Sequence, residues 1–196
     1  MRKLKCALLA LYAATLVPAG ADDGVWHLLI EPTFMGYEAA WPIPNAKTTV
    51  LVPARVVDGD VQPLTRKEAA ESNVTRSKIL ASAPDAASAV LAGLKPRYVR
   101  DRNKVIQYAV LESDNPLTAS SVLAPEFAGL FAETLGPDLI VAIPNRFRIF
   151  VFPKATFAEL NISDLIFTEY KSTAWPVTRE IFELRRGKLI AIGASQ

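Results

Sequence analysis

Asn145 and Arg146 stand between the apolar runs Leu139 to Ile143 and Phe147 to Phe152, and Arg148 follows Arg146 by one strand repeat. Residues i and i+2 of an extended chain share a face, so the spacing predicts two guanidiniums side by side on a rigid hairpin. A planar guanidinium grips a carboxylate or phosphate bidentately. Asn145, Arg146 and Arg148 are therefore the candidate ligand-binding set, and an anionic small ligand is the chemistry they suit. The plainer alternative is a hairpin tip carrying solvated arginines. A second grouping lies earlier, where Glu31 and Glu38 are interleaved with Phe34, Tyr37 and Trp41. Paired carboxylates beside ring-stacking aromatics are what glycan cleavage requires, although loop aromatics also serve to close the edge of a core.

Other chemistries are excluded by what the chain lacks. The one cysteine of the 196 residues is Cys6 and the one histidine is His27. Beyond Cys6 there is no thiol nucleophile, no iron–sulfur ligation and no thiolate zinc site. Any Ser-His-Asp arrangement has to pass through His27, which sits in the apolar run Val25 to Ile30 and reads as a packing residue of a first strand. Serine–lysine catalysis lacks an S-x-x-K spacing, since Ser77 and Lys78 are adjacent and fall on different helix faces. Asp58-Gly59-Asp60 resembles the opening of a calcium loop, but Ala69 stands where the bidentate glutamate belongs. No catalytic residue, metal ligand or cofactor is assigned.

Cys6 also marks an address. Arg2, Lys3 and Lys5 form a positive n-region, Cys6 to Val17 an apolar stretch, and Ala19-Gly20-Ala21 a small-residue cleavage pattern; together they read as an export signal over residues 1–21. The charge-free stretch from Cys6 to Ala21 is shorter than the roughly 20 apolar residues a membrane span needs. The expected product is one domain, residues 22–196, periplasmic or secreted, with no stable membrane span. Cleavage removes the three cations Arg2, Lys3 and Lys5 from 22, leaving 19 against 20 acidic residues, a net charge near −1. A nucleic-acid footprint needs a clustered basic excess. The nearest candidate, Arg97, Arg100, Arg102 and Lys104 around Asp101, reads as a solvated turn.

The elements that position these residues follow from local signals. A D-G turn at Asp58-Gly59 between apolar positions predicts a hairpin. Thr65-Arg66-Lys67-Glu68 is a capping box opening a helix to about Asn73. Pro84 to Leu94, alanine-rich and stopped by Gly93 and Pro96, reads as a second short helix. A polar-tipped hairpin is expected from Arg97 to Glu112. Phe127, Leu130, Phe131 and Leu135 form one face of a helix ending at Gly136-Pro137, and Phe157 to Tyr170 is helical in pattern, broken near Asn161 with Ser163 as a cap. Val177 to Leu184 and Leu189 to Ile192 close the chain as a hairpin around Arg185 to Lys188. Strands in hairpins without regular βαβ alternation give the class α+β: a single domain with a largely antiparallel sheet of about five to seven strands and helices packed on one face.

The order of several of these segments resembles the uncharacterised bacterial YtpQ-type family, a domain of unknown function. The resemblance rests on Thr65 to Asn73, Ser121 to Phe127, Leu135 to Arg146 and Trp175 to Thr178, and spans roughly Leu64 to Ile192. It implies no catalytic residues. The chain departs from that pattern in its export signal and in having Phe147, not an acidic residue, directly after Arg146. Read together, these features point to an exported bacterial domain that binds an envelope protein or an anionic small ligand without catalysis. The alternative is a small carboxylate-dependent hydrolase acting on glycan or another extracytoplasmic polymer.

Overall fold

The structure, a computed structural model, describes residues 24–71 and 74–195. The export signal, Cys6 and the expected helix end at Asn73 lie outside the described residues. Over the described residues the fold is α+β with ten strands in two antiparallel sheets. The larger sheet has six strands in the order β10-β9-β7-β8-β6-β5: β5 (Arg97–Arg100), β6 (Ile106–Glu112), β7 (Leu139–Asn145), β8 (Arg148–Pro153), β9 (Glu180–Arg185) and β10 (Lys188–Ala194). This is the antiparallel sheet expected from the hairpin signals. A smaller sheet adds β1 (His27–Pro32), β2 (Trp41–Pro42), β3 (Thr49–Val57) and β4 (Asp60–Pro63), with β3 pairing all three partners.

Turn chemistry sets two of the hairpins. Asp58 and Gly59 between β3 and β4, and Arg186 and Gly187 between β9 and β10, all have positive φ, the type I′ signature whose twist matches the flanking strands. The capping box forms as expected: the Glu68 amide donates to the Thr65 hydroxyl at 3.2 Å, and the Thr65 amide donates to the Glu68 carboxylate at 2.9 Å. It opens α1 (Arg66–Glu71). The second helix differs from its expected bounds. α2 runs Arg76–Ala92, with Thr75 capping the Lys78 amide, and Pro84 lies inside it. Ile79, Ala83, Ala86, Ala87 and Leu91 form a buried stripe across the proline. Tertiary burial therefore outweighs the one hydrogen bond that Pro84 cannot donate.

β7 is buried along its whole length, as a central strand covered on both faces must be. One face, with Leu139, Val141 and Ile143, packs against α3 (Phe127–Leu135) through Phe127, Phe131 and Leu135 and against Ala87 and Leu91 of α2. Leu130, expected on that face, is exposed. The expected helical cover is thus provided, and α4 (Ser163–Lys171) extends it to the second face, where Ile166 packs with Ile140, Phe150 and Phe152. Ser163 is the first residue of α4 and Ile162 precedes it with no side-chain cap bond, so the expected serine cap is absent there. Full burial of each such large side chain contributes about 1.5–3 kcal/mol.

Candidate functional site

The β7–β8 hairpin carries Asn145, Arg146 and Arg148. A register shift between Ala142 and Asn145 brings Asn145 opposite Arg148, leaving Arg146 and Phe147 as the turn. The Asn145 side-chain oxygen accepts from the Phe147 amide at 3.0 Å, and its amide nitrogen lies 3.5 Å from the Glu169 carbonyl. Asn145 is therefore a strut that fixes the turn and ties it to α4. The segment after α4 is tied to the same turn: the Arg146 amide donates to the Trp175 carbonyl, the Val177 amide to the Pro144 carbonyl, and Asn145 bridges to Pro176.

The two guanidiniums do not form the shared fork that their spacing predicts, because Arg146 belongs to the turn and not to a continuing strand. Arg146 reaches into the smaller sheet. Its Nε donates to Glu31 Oε1 at 2.7 Å and Nη2 to the Tyr37 hydroxyl at 3.1 Å, while its guanidinium carbon lies 4.8 Å from the Trp175 ring centre. The Glu31 side chain is 2% exposed and that of Arg146 14%. Burial opposes the Arg146 charge, but the hydrogen bond and negative charge of Glu31 outweigh it, and the net effect raises the Arg146 pKa. Burial and the Glu31 charge also push the Tyr37 phenol up, against the pull of Arg146. Arg148 instead binds Glu112 Oε2 at 2.8 Å and the Glu169 carboxylate.

Around Arg148 opens a cleft of about 440 Å³, lined by Glu112, Ser113, Asp114, Asn145, Phe147, Arg148, Glu169, Ser172 and Thr173. The guanidinium is held by two of the three carboxylates, which leaves Asp114 as the lining acid outside that network. Thr173 is held in place by the Trp175 amide, which donates to its hydroxyl at 3.1 Å, and the Ser172 hydroxyl lies 3.3 Å from the Glu169 carbonyl. Phe147 supplies the apolar part of the wall.

The earlier carboxylate grouping is separated. Glu31 faces Arg146, whereas Glu38 is exposed and accepts from the Arg66 amide at 3.0 Å at the start of α1. Trp41 lies under Arg76, 4.8 Å from guanidinium carbon to ring centre, and Phe34 is exposed. His27 is buried in β1 with its Nδ1 unpartnered, and burial lowers its pKa. The basic group near Asp101 is the turn that the sequence suggested: Asp101 Oδ1 accepts from the Asn103 and Val105 amides, and Arg100 donates to the Lys104 carbonyl. Among the described residues no group of three acidic, histidine or cysteine side chains is arranged to hold a metal ion, and no helix is long and apolar enough to cross a membrane.

Two acidic residues escaped the sequence reading. Glu180, buried in β9, accepts from the Lys47 amide at 2.6 Å, the Thr48 amide at 3.3 Å and the Thr49 hydroxyl at 2.6 Å. Glu183 binds Lys154 and Arg185, each at 2.6 Å, and those two hydrogen bonds, Arg185 first, pull its pKa down to about 2. The available signal was two carboxylates in the otherwise apolar run Glu180 to Leu184, where a buried acid requires partners. No family profile, curated protein or solved structure matches the chain.

Proposed function

We propose that the chain is exported and acts in the bacterial cell envelope as a non-enzymatic binding domain whose site is the cleft beside the β7–β8 turn. The observation that carries the reading is the cleft itself. It combines carboxylates, hydroxyls and a guanidinium on walls where α4 is tied to β7 by the Asn145–Glu169 bond and to β8 by the Arg148–Glu169 ion pair, and its size lies in the roughly 300–1,000 Å³ range of ligand pockets. A polar wall whose guanidinium is already held by two carboxylates favours recognition, because ordering costs are met before the ligand arrives. Export is supported by the n-region, apolar stretch and cleavage pattern of residues 1–21. An anionic ligand is a poor fit: it would have to displace Glu31 from Arg146, or Glu112 and Glu169 from Arg148. The YtpQ-type likeness adds no site residue.

Two measurements test this. Mass spectrometry of the exported protein is expected to find an N-terminus at Asp22 and no Cys6; a product retaining Cys6 contradicts export by cleavage. The mature protein is expected to sediment with purified envelope fractions, and Thr173→Trp, which fills the cleft, is expected to release it. Sedimentation unchanged by that variant would move the site elsewhere.

A further inference from the structure

The chemistry of the cleft narrows what it can hold. One guanidinium lines the cleft against three carboxylates, and Arg97, outside the lining, offsets only Glu112, so the field repels anions. Two of those carboxylates are directed at Arg148, so they offer a small multivalent cation no shared cage. The polar lining gives an apolar ligand no partner except Phe147. A ligand with a rim of hydroxyls and one apolar face satisfies all of these groups. A carboxylate accepts from two neighbouring hydroxyls, the remaining guanidinium and hydroxyl donors give hydrogen bonds back, and an aromatic ring packs against the ring C–H face.

We infer that the cleft binds a neutral saccharide, with Asp114 accepting from ring hydroxyls and Phe147 covering the apolar face of the sugar. The inference rests on the proposed binding reading and deepens it by naming the ligand class. Asp114 is the group best placed to accept, since it is exposed and lies outside the arginine network. Bonds to Glu112 and Glu169 would have to share those oxygens with Arg148. Asn145 contributes position, because its oxygen is already engaged by the Phe147 amide. That same bond fixes the backbone from which the Phe147 ring projects.

Calorimetric titration of the mature protein with chitotetraose, maltotetraose and cellotetraose tests the class, with a glucosamine tetramer as cationic control and polygalacturonate fragments as anionic control. At least one neutral oligomer is expected to bind, Asp114→Ala to weaken it tenfold or more, and Phe147→Ala to do the same. Asp114 is exposed, so its variant reports on binding even if Phe147→Ala fails to fold. Preference for the cationic or anionic control, neutral binding that survives Asp114→Ala, or no neutral binding at millimolar sugar each overturns the saccharide inference. Envelope sedimentation that Thr173→Trp abolishes would persist if only the ligand class were wrong. Loss of both signals would remove the binding reading as well.

Discussion

Arg146 and Arg148 are two residues apart on one hairpin, yet they occupy opposite electrostatic situations. Arg146 is buried against a single buried carboxylate from the other sheet, with a phenol and an indole closing around it. Arg148 is 32% exposed at the side chain and shared between Glu112 and Glu169 at the mouth of a cleft. Position in the turn decides the difference. A guanidinium that is removed from water needs its partner and fixes the fold, whereas one left partly in solvent gains little stability from its pairs and remains open to a ligand. The lesson is that equal chemistry at i and i+2 does not imply a shared site when the first residue lies in the turn.

The sharpest break is at Arg146. Arg146→Ala leaves Glu31 buried without its cation, and stability should fall by about 3–5 kcal/mol, read by urea denaturation. The double variant Glu31→Leu with Arg146→Met should recover most of that loss, since a packed apolar pair replaces the ion pair without uncompensated charge. A recovery of less than half would mean that the tie to Tyr37 and Trp175, and not the charge balance, holds the sheets together.

Next in size is Glu180, which crosses the same seam from the other side. It draws on two backbone amides and a hydroxyl where Glu31 draws on a guanidinium. Glu180→Ala strands those donors, and an expected loss of about 2–3 kcal/mol follows from hydrogen bonds to a charged acceptor. Salt should leave both clasps nearly unchanged. Both acids are buried, and added salt screens buried pairs far less than exposed ones, so neither the cost of Arg146→Ala nor that of Glu180→Ala should shrink much with salt.

Much of this arrangement was legible before the structure. The capping box, the D-G hairpin and the paired apolar runs flanking Pro144 to Arg146 are local signals, and each forms from neighbouring residues. What stayed hidden depends on distant chain. Pro84 looks like a helix start until the stripe from Ile79 to Leu91 is seen to be buried on both sides of it. The partner of Arg146 lies 115 residues away in β1, and that of Glu180 more than 130 away, separations across which no sequence period operates. Glu112 and Glu169, which complete the cleft, come from β6 and α4 and meet at Arg148 because β6 pairs with β8 and α4 packs on the sheet.

A smaller effect is expected from His27. Its folded pKa lies below the ordinary 6.5 because burial disfavours the charged ring. Below pH 6.5 the unfolded chain takes up a proton that the folded chain resists, so stability is greatest above that value and declines as the pH falls through the folded pKa. His27→Gln should flatten the decline between pH 6.5 and the folded pKa. Glu183 acts at lower pH: its folded pKa is pulled down to about 2, so its contribution is present above the ordinary carboxylate range and is lost as acid approaches that value. The two phases should therefore appear in sequence in an acid titration monitored by near-UV circular dichroism.

The smallest stability change belongs to Arg148, and that is what sharpens the contrast with its neighbour. Arg148→Ala should cost less than about 1 kcal/mol, because its ion pairs are partly solvated. Its consequence should appear in selectivity. Without the guanidinium, Glu112 keeps only Arg97, at 3.6 Å, and Asp114 and Glu169 face the cleft without an ion pair, so a polyamine such as spermidine should bind at least tenfold more tightly than to the parent, and added salt should weaken it. A stability loss matching that of Arg146→Ala, with no gain in polyamine binding, would make Arg148 a second structural clasp and leave the cleft without its organising charge.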